Sequence, residues 1–112
     1  MMIVSLTMAT KKRFLLEKIF GDTVRIKVLE ILLESGLSEE IQWLNISEIA
    51  RIAGISTSSS KRIVDDLIQE GLADLHQIET HAQNPEKQVR LNTDLKIMRE
   101  LSFFYRKLKG FL

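Results

Sequence analysis

The sequence predicts one domain that is mainly α-helical and carries a small β-hairpin before its last helix. Three observations lead to this prediction. Apolar residues recur at helical spacing in several segments up to Gly71. Beyond Gly71 two strand-like segments flank the only proline, and helical spacing returns after residue 93. The length of 112 residues suits a single hydrophobic core.

Composition limits the class of protein. The chain has no cysteine, which excludes disulfides and thiolate metal sites and is compatible with a reducing cytoplasm. The first ten residues are apolar and uncharged, and the basic cluster 11–13 follows them, the reverse of a secretory signal. No segment has the length of a membrane span. We therefore expect a cytoplasmic protein without a membrane partner, whose extreme N-terminus is frayed or packed on a partner.

Two helices are predicted in the first third of the chain. The shorter one precedes Gly21, and its apolar residues are Phe14, Leu15, Ile19 and Phe20. The longer one covers 22–35, with Asp22 or Thr23 as its N-cap and Gly36 as its end. Its apolar stripe, typical of a helix that packs on a core, comprises Val24, Val28, Ile31 and Leu32.

Two short helices separated by a turn are predicted next. Trp43, in the connection that precedes them, is expected to fill the edge of the core. Ser47 is the predicted N-cap of a two-turn helix that stops at Gly54, and Ser56 caps a second helix that ends just before Gly71. Two short helices joined by a glycine-containing turn form a helix-turn-helix, in which the second helix is presented to a DNA groove.

A β-hairpin and a final helix complete the chain. The predicted strands are 72–80 and 88–93, which are rich in apolar and β-branched residues. The segment 81–87 forms the tip, because it holds an Asn-Pro pair typical of a turn. The last helix is predicted to start at its cap, Asn92 or Thr93, and to reach the end of the chain.

These residues resemble the winged helix-turn-helix domain of bacterial and archaeal transcriptional regulators, in particular the ArsR-like and MarR-like groups. The similarity covers about 21–93 and rests on "EIA", "AGIS" and "KRIVDDLIQEGL", in which Ala50 and Gly54 match the small residue and the turn glycine of those groups. Ser60 departs from the pattern, which has Val or Ile there, and we expect it to loosen the packing of its helix. The resemblance implies a DNA-binding regulator with a recognition helix and a wing, and the long terminal helix also suits these groups. We predict an N-terminal arm and helix in 1–20 and a C-terminal helix in 94–112, with the terminal helices forming a dimer interface.

The hydroxyl-rich start of the second helix is the main candidate site. At about 100° per residue, its core side comprises Ser60, Ile63, Val64, Leu67 and Ile68. The candidate DNA-binding residues are Ser56, Thr57, Ser58, Ser59, Lys61 and Arg62. Hydroxyls and free N–H groups at the start of a helix can donate hydrogen bonds to phosphate oxygens. Arg can donate two hydrogen bonds to one guanine. Asp65 and Asp66 would repel phosphates, so only the first two turns are expected in the groove. The competing interpretation is capping with a solvated ion-pair face, but capping explains one hydroxyl and leaves four.

Three further cations are candidate DNA contacts. Lys87 and Arg90, together with His81, belong to the predicted wing and suit backbone contact, the alternative being ordinary solvated charges. Arg51, on the first helix of the pair, is a candidate phosphate contact. No cofactor or metal is expected, because the cysteines with which metal-sensing ArsR-like groups bind are absent. His76 and His81 are five residues apart on one arm of the predicted hairpin, so that they would point to opposite faces and do not form a zinc site.

The last helix predicts a homodimer. One of its faces has the 4, 3, 4, 3 spacing of a helix-helix seam and carries Ile97, Leu101, Phe104, Leu108 and Phe111. Apolar residues outside this seam include Tyr105, which we also assign to the interface, since a monomer of this size would struggle to cover them all. We expect a two-fold dimer, with help from 9–20, whose recognition helices lie about one DNA turn apart.

Two functions remain in competition. A sequence-specific transcriptional regulator accounts for the hydroxyl and Lys-Arg face, whereas a winged-helix protein-interaction module that does not bind DNA accounts better for residues 47–93, which hold five basic and seven acidic residues. The two differ in salt dependence, because DNA affinity falls steeply with ionic strength. An enzyme is not expected, since the glycine-rich phosphate loop and the zinc-protease motif are absent. The sequence does not specify an operator, a sign of regulation or a small-molecule effector.

Overall fold

Five helices and three strands make up the part of the chain described in the computed structural model, which is 14–37, 43–78 and 86–111 without the side chains of Ile78, Glu86 and Phe111. In chain order they are α1 Glu17–Phe20, α2 Val24–Leu37, β1 Leu44–Asn45, α3 Ile46–Ala53, α4 Thr57–Gln69, β2 Ala73–Ile78, β3 Glu86–Leu91 and α5 Lys96–Phe111. The expected mainly helical fold with a helix-turn-helix and a hairpin is confirmed.

Helix α2 is capped as predicted but ends later than predicted. The Thr23 hydroxyl accepts a hydrogen bond from the Ile26 N–H at 3.2 Å. The helix then runs through Gly36 to Leu37, so the prediction that Gly36 ends it was wrong. Glycine inside a helix costs about 1 kcal/mol, and the burial of Leu33 in the same turn, at 1% exposure, outweighs that cost.

The N-cap of helix α3 lies two residues before the predicted one. The side-chain oxygen of Asn45 accepts from the Glu48 N–H at 2.8 Å, and the Glu48 carboxylate accepts from the Asn45 N–H at 3.0 Å. This reciprocal capping box satisfies two N–H groups at once, so Asn45 is the N-cap. Ser47 lies exposed in the first turn, and its assignment as the cap was wrong.

The sheet has three antiparallel strands in the order β1-β3-β2. The predicted hairpin pairs Ala73 with Leu91 and Leu75 with Val89, and β3 starts at Glu86, two residues before its predicted start. The third strand, β1, was not predicted, because it has only two residues, which pair with Val89 and Gln88. It ties the chain before α3 to the wing.

Helix α5 starts at Lys96, beyond both of its predicted caps. The side-chain oxygen of Asn92 instead accepts from the Asp94 N–H at 3.1 Å, and its amide donates to the Gly71 carbonyl at 2.9 Å. Asn92 therefore closes a turn and joins the base of the hairpin to the end of α4, which leaves it and Thr93 outside the helix.

A single core joins the segment before α1, the helices α2 to α5 and the three strands, while α1 itself has no buried residue. Its most buried apolar side chains are Leu16, Val28, Leu32, Leu33, Ile49, Val64, Leu67, Val89 and Tyr105. Because α2 packs against α3, α4, β3 and α5, it lies at the centre of the fold. Within the described segments, no helix is both long enough and apolar enough to cross a membrane.

Candidate nucleic-acid interface

The turn between α3 and α4 sets the position of the hydroxyl-rich segment. Gly54 adopts a left-handed conformation, with φ 72° and ψ 36°, which residues with a side chain rarely adopt. The Ile55 N–H then donates to the Ala50 carbonyl at 3.0 Å and the Gly54 N–H donates to the Arg51 carbonyl at 3.3 Å. These two bonds are a Schellman motif, which ends α3. The N-cap of α4, Ser56, follows two residues after Gly54.

The hydroxyls at the start of α4 divide into three kinds. Ser56 is the N-cap, and its oxygen accepts from the Ser59 N–H at 3.1 Å. The same hydroxyl donates to the Ser59 oxygen at 2.9 Å and lies 3.2 Å from that of Ser58. Thr57 and Ser58 are exposed, whereas Ser60 is fully buried. The predicted cap and the predicted core side of α4 are therefore confirmed.

Ser60 does not loosen the packing of α4 as expected. Its hydroxyl donates to the Ile46 carbonyl in the first turn of α3 at 3.0 Å, and the side chain has no exposed surface. A buried hydroxyl with a partner stabilises the packing that it would weaken without one. The expectation was wrong because the acceptor lies on another helix, 14 residues away in the chain.

The two cations of α4 differ in their surroundings. Lys61 donates to Asp65 Oδ2 at 2.8 Å, one turn along the helix, and both side chains are half exposed. Arg62 is exposed and pairs with no acid among the described residues. It lies one turn after Ser58 on the same outward side. Arg62 is thus available to an external acceptor, while Lys61 must first leave Asp65.

Acidic groups occupy the second half of α4. Asp65 and Asp66 are exposed, and Glu70, the C-cap residue, forms an ion pair with Arg25 of α2. The positive end of the helix and its cations therefore lie at the N-terminus, and the acids lie toward the C-terminus. This polarity agrees with the expected contact through the first two turns.

The cations outside α4 lie in different environments. Arg51 is exposed on α3. Lys87 is half-buried and lines an open groove with Asn45, Ile46 and Ser47 at the start of α3. His81 lies outside the described residues. Lys87 therefore borders the helix-turn-helix, although it comes from the wing.

Arg90 is held on the wing by two neighbours. Its Nε lies 3.7 Å from Asp74 Oδ2, across the strand pair, and its guanidinium lies 4.6 Å from the centre of the Trp43 ring. The Trp43 ring also lies 5.3 Å from that of His76. Trp43 thus covers the outer face of the sheet, a role that its position in a connection did not indicate. Arg90 is less available to DNA than Arg62, because an ion pair and a cation-π contact engage it.

The predicted interface residues of α5 do not share one environment. Ile97 and Phe104 are 60% and 42% exposed, and Leu101 and Leu108 are half-buried against the core. The side chain of Phe111 lies outside the described part. Tyr105 is only 2% exposed, so its assignment to the interface was wrong: it faces α2 within the same chain. We call Ile97, Leu101, Phe104 and Leu108 the α5 stripe.

Comparisons with known proteins identify the fold. A candidate DNA-binding protein from Ralstonia eutropha is 23% identical, with a TM-score of 0.57 over 75% of this chain and 95% of that one. A MarR family transcriptional regulator from Silicibacter pomeroyi is 20% identical, with a TM-score of 0.54 over 98% and 67%. The YusO protein from Bacillus subtilis is 21% identical, with a TM-score of 0.52 over 95% and 73%. No protein-family model and no curated protein matches the sequence. The chain has the winged helix-turn-helix fold.

Proposed function

We propose that this protein is a DNA-binding transcriptional regulator that places the first two turns of α4 in the major groove. The observation that carries the proposal is the environment of Arg62. It is exposed and unpaired among the described residues, and it lies in the second turn of α4. The opposite side of this helix is fixed in the core by Ser60, Ile63, Val64 and Leu67.

The contacts expected at DNA follow from these positions. The N–H groups at the start of α4 and the exposed hydroxyls of Thr57 and Ser58 suit phosphate oxygens. Arg62 suits the O6 and N7 of a guanine, which it can bind through two N–H groups. Asp65 and Asp66 oppose deeper entry, since they would face phosphates.

The remaining cations would position the protein on the duplex. Arg51 and Lys87 border the helix pair and suit phosphates, a contact that fixes orientation and adds salt-dependent affinity. Arg90, engaged by Asp74 and Trp43, supports the outer face of the wing, and any phosphate contact that it makes must compete with Asp74.

The structural relatives add support at the level of the fold. One is described as a MarR family transcriptional regulator and another as a candidate DNA-binding protein. At these identities the likeness concerns architecture alone, and it is the residues of α4 that favour DNA binding.

We also propose that two copies pair through the α5 stripe. Ile97 and Phe104 expose apolar surface next to the half-buried Leu101 and Leu108. A second exposed apolar group, Ile19, Phe20 and Val24, surrounds the turn after α1. In an isologous dimer the same apolar surface of each copy is buried against the other copy. The two recognition helices are then related by a two-fold axis.

The test is a fluorescence-anisotropy titration against the region upstream of the protein's own gene and against a random-sequence duplex, at two salt concentrations. We expect the upstream region to bind about 10³-fold more tightly or better, and both affinities to fall with salt. Arg62→Ala should weaken specific binding by about 1–3 kcal/mol. Arg106→Ala removes an equal charge at an exposed position of α5 and should not weaken specific binding. Absence of binding to either duplex at low salt would refute the proposal.

A protein-interaction module is the second candidate. It is favoured by the acidic excess of 47–93 and by the exposed Phe103, which is 56% exposed and lies outside the α5 stripe. A dimer that binds neither duplex at low salt would support this function instead.

A further inference from the structure

One buried carboxylate joins three segments that are far apart in the chain. Glu30 of α2 is 2% exposed. Its Oε1 accepts from the Leu16 N–H at 2.7 Å and its Oε2 accepts from the Leu15 N–H at 2.9 Å. The Tyr105 hydroxyl of α5 donates to the same Oε2 at 3.1 Å. The segment before α1 and the last helix are therefore both attached to one side chain of α2.

Tyr105 also contacts the next turn of α2. Its hydroxyl lies 2.8 Å from Glu34 Oε1, and Lys109 Nζ donates to both carboxylate oxygens of Glu34, at 2.8 and 2.6 Å. A phenol has one proton to donate, so the two carboxylates share the Tyr105 hydroxyl, while Lys109 pairs with the carboxylate of Glu34. Burial, followed by the hydrogen bond to Glu34 and the charge of Glu30, raises the pKa of Tyr105 far above its usual value. The hydroxyl thus stays a donor.

These contacts fix the rotation of α5 about its own axis. Tyr105 and Met98, both buried, define the side that packs on the core. Phe104 precedes Tyr105 by one residue, which is about 100° around a helix, so the α5 stripe flanks the anchored side. A slide of α5 by one turn, about 5.4 Å, would carry the hydroxyl away from the Glu30 and Glu34 pair. Because α2 also packs on α3 and α4, the stripe and the recognition helix share one support.

We propose that Tyr105 is a positioning residue that fixes the direction of the α5 stripe relative to α4, and thereby the separation of the two recognition helices. This inference rests on the proposed function, since it requires that the stripe joins two copies. Tyr105→Phe is a suitable probe, because it keeps the ring and removes only the hydroxyl. Glu30 retains its two N–H donors and Glu34 retains Lys109, so no buried charge loses all its partners.

The first test measures the separation without DNA. The chain has no cysteine, so a spin label on a Ser58→Cys variant marks each recognition helix once. Double electron-electron resonance should give a narrow distribution of distances between the labels of the two copies. Adding Tyr105→Phe should broaden or shift this distance distribution. Ser102→Ala, which removes a hydroxyl that bonds within α5, should leave it unchanged. Equal distributions for Tyr105→Phe and the parent, or a monomeric parent, would overturn the inference.

The second test uses the minimal duplex bound in the upstream region, with base pairs inserted at its centre. Insertion of about five base pairs turns one half of the site to the opposite face of the duplex, and the parent should lose an avidity of about 10²-fold. Tyr105→Phe should bind a single half-site with the same affinity as the parent. Its affinity for the full site should fall much less than that of the parent when base pairs are inserted. An unchanged insertion profile would contradict the inference. Absence of duplex binding by the parent would instead refute the DNA function, while the resonance result would still test Tyr105.

Discussion

The Ser60 hydroxyl donates to the Ile46 carbonyl at 3.0 Å and so joins α4 to the first turn of α3. Ser60 itself has no exposed surface, and the bond lies at the partly buried contact between the two helices. It orients the side of α4 that faces α3, and consequently also the opposite side, which carries Ser58 and Arg62.

Removal of this hydroxyl should destabilise the fold. We expect Ser60→Ala to lower the free energy of unfolding by about 1 kcal/mol, and Ser60→Val to lower it further, because the added methyl group has no free space in a packed core. Urea unfolding followed by circular dichroism measures both. Ser58→Ala, at an exposed site, is the control and should change little. A Ser60→Val variant more stable than the parent would mean that the slot is an ordinary apolar site.

The capping box of α3 should be a second local contributor to stability. Asn45→Ala removes the acceptor for the Glu48 N–H and should cost about 1 kcal/mol. Ser47→Ala, in the same turn but exposed, should cost almost nothing. The same unfolding experiment compares them, and a larger loss for Ser47→Ala would restore the cap that the sequence predicted.

Asp65 should restrain non-specific DNA binding through Lys61. Asp65→Asn breaks the 2.8 Å ion pair and frees a cation, so affinity for random-sequence DNA should rise and the salt slope should steepen by about 1. Asp66→Asn removes an equal charge, and Asp66 forms no ion pair with the residues that the structure describes, so this variant serves as the control. Equal effects of the two variants would mean that only the overall charge matters.

The α5 stripe should control association. Phe104→Ser should shift the protein toward monomer in sedimentation velocity, whereas Phe103→Ser should not, although both rings are exposed and adjacent in the chain. Their different directions on α5 make them a matched pair. A dimer unaffected by Phe104→Ser, or one lost through Phe103→Ser, would move the interface away from the stripe.

Tyr105 should resist ionisation while the protein is folded. It is the only tyrosine, so absorbance at alkaline pH reports it alone. Its pKa is raised by burial first and then by Glu34 and Glu30. The unfolded chain releases this proton near pH 10 and the folded chain does not, so stability should fall as the pH rises above about 10. Tyrosinate absorbance should appear only with unfolding, and its appearance in the folded protein would contradict the buried placement.

The sequence predicts the fold well where a local pattern determines structure. The Ser56 cap, the Gly54 turn and the buried side of α4 all follow from spacing and residue type. Three of the errors arose where a distant partner decides the structure. Ser60 finds its acceptor 14 residues away, Tyr105 finds its acceptors more than 70 residues away, and β1 forms only because β3 pairs with it. Asn45 was a missed local signal, since Asn followed three residues later by Glu is a capping box.

The central claim, that the start of α4 contacts DNA, is tested most directly by NMR. A ¹⁵N-labelled sample titrated with the upstream duplex should show its largest amide shift changes at residues 56–62, with smaller changes at Arg51 and Lys87. The amides of α5 should change little. Shift changes that are absent, or that concentrate on α5 while 56–62 stay unperturbed, would contradict the account.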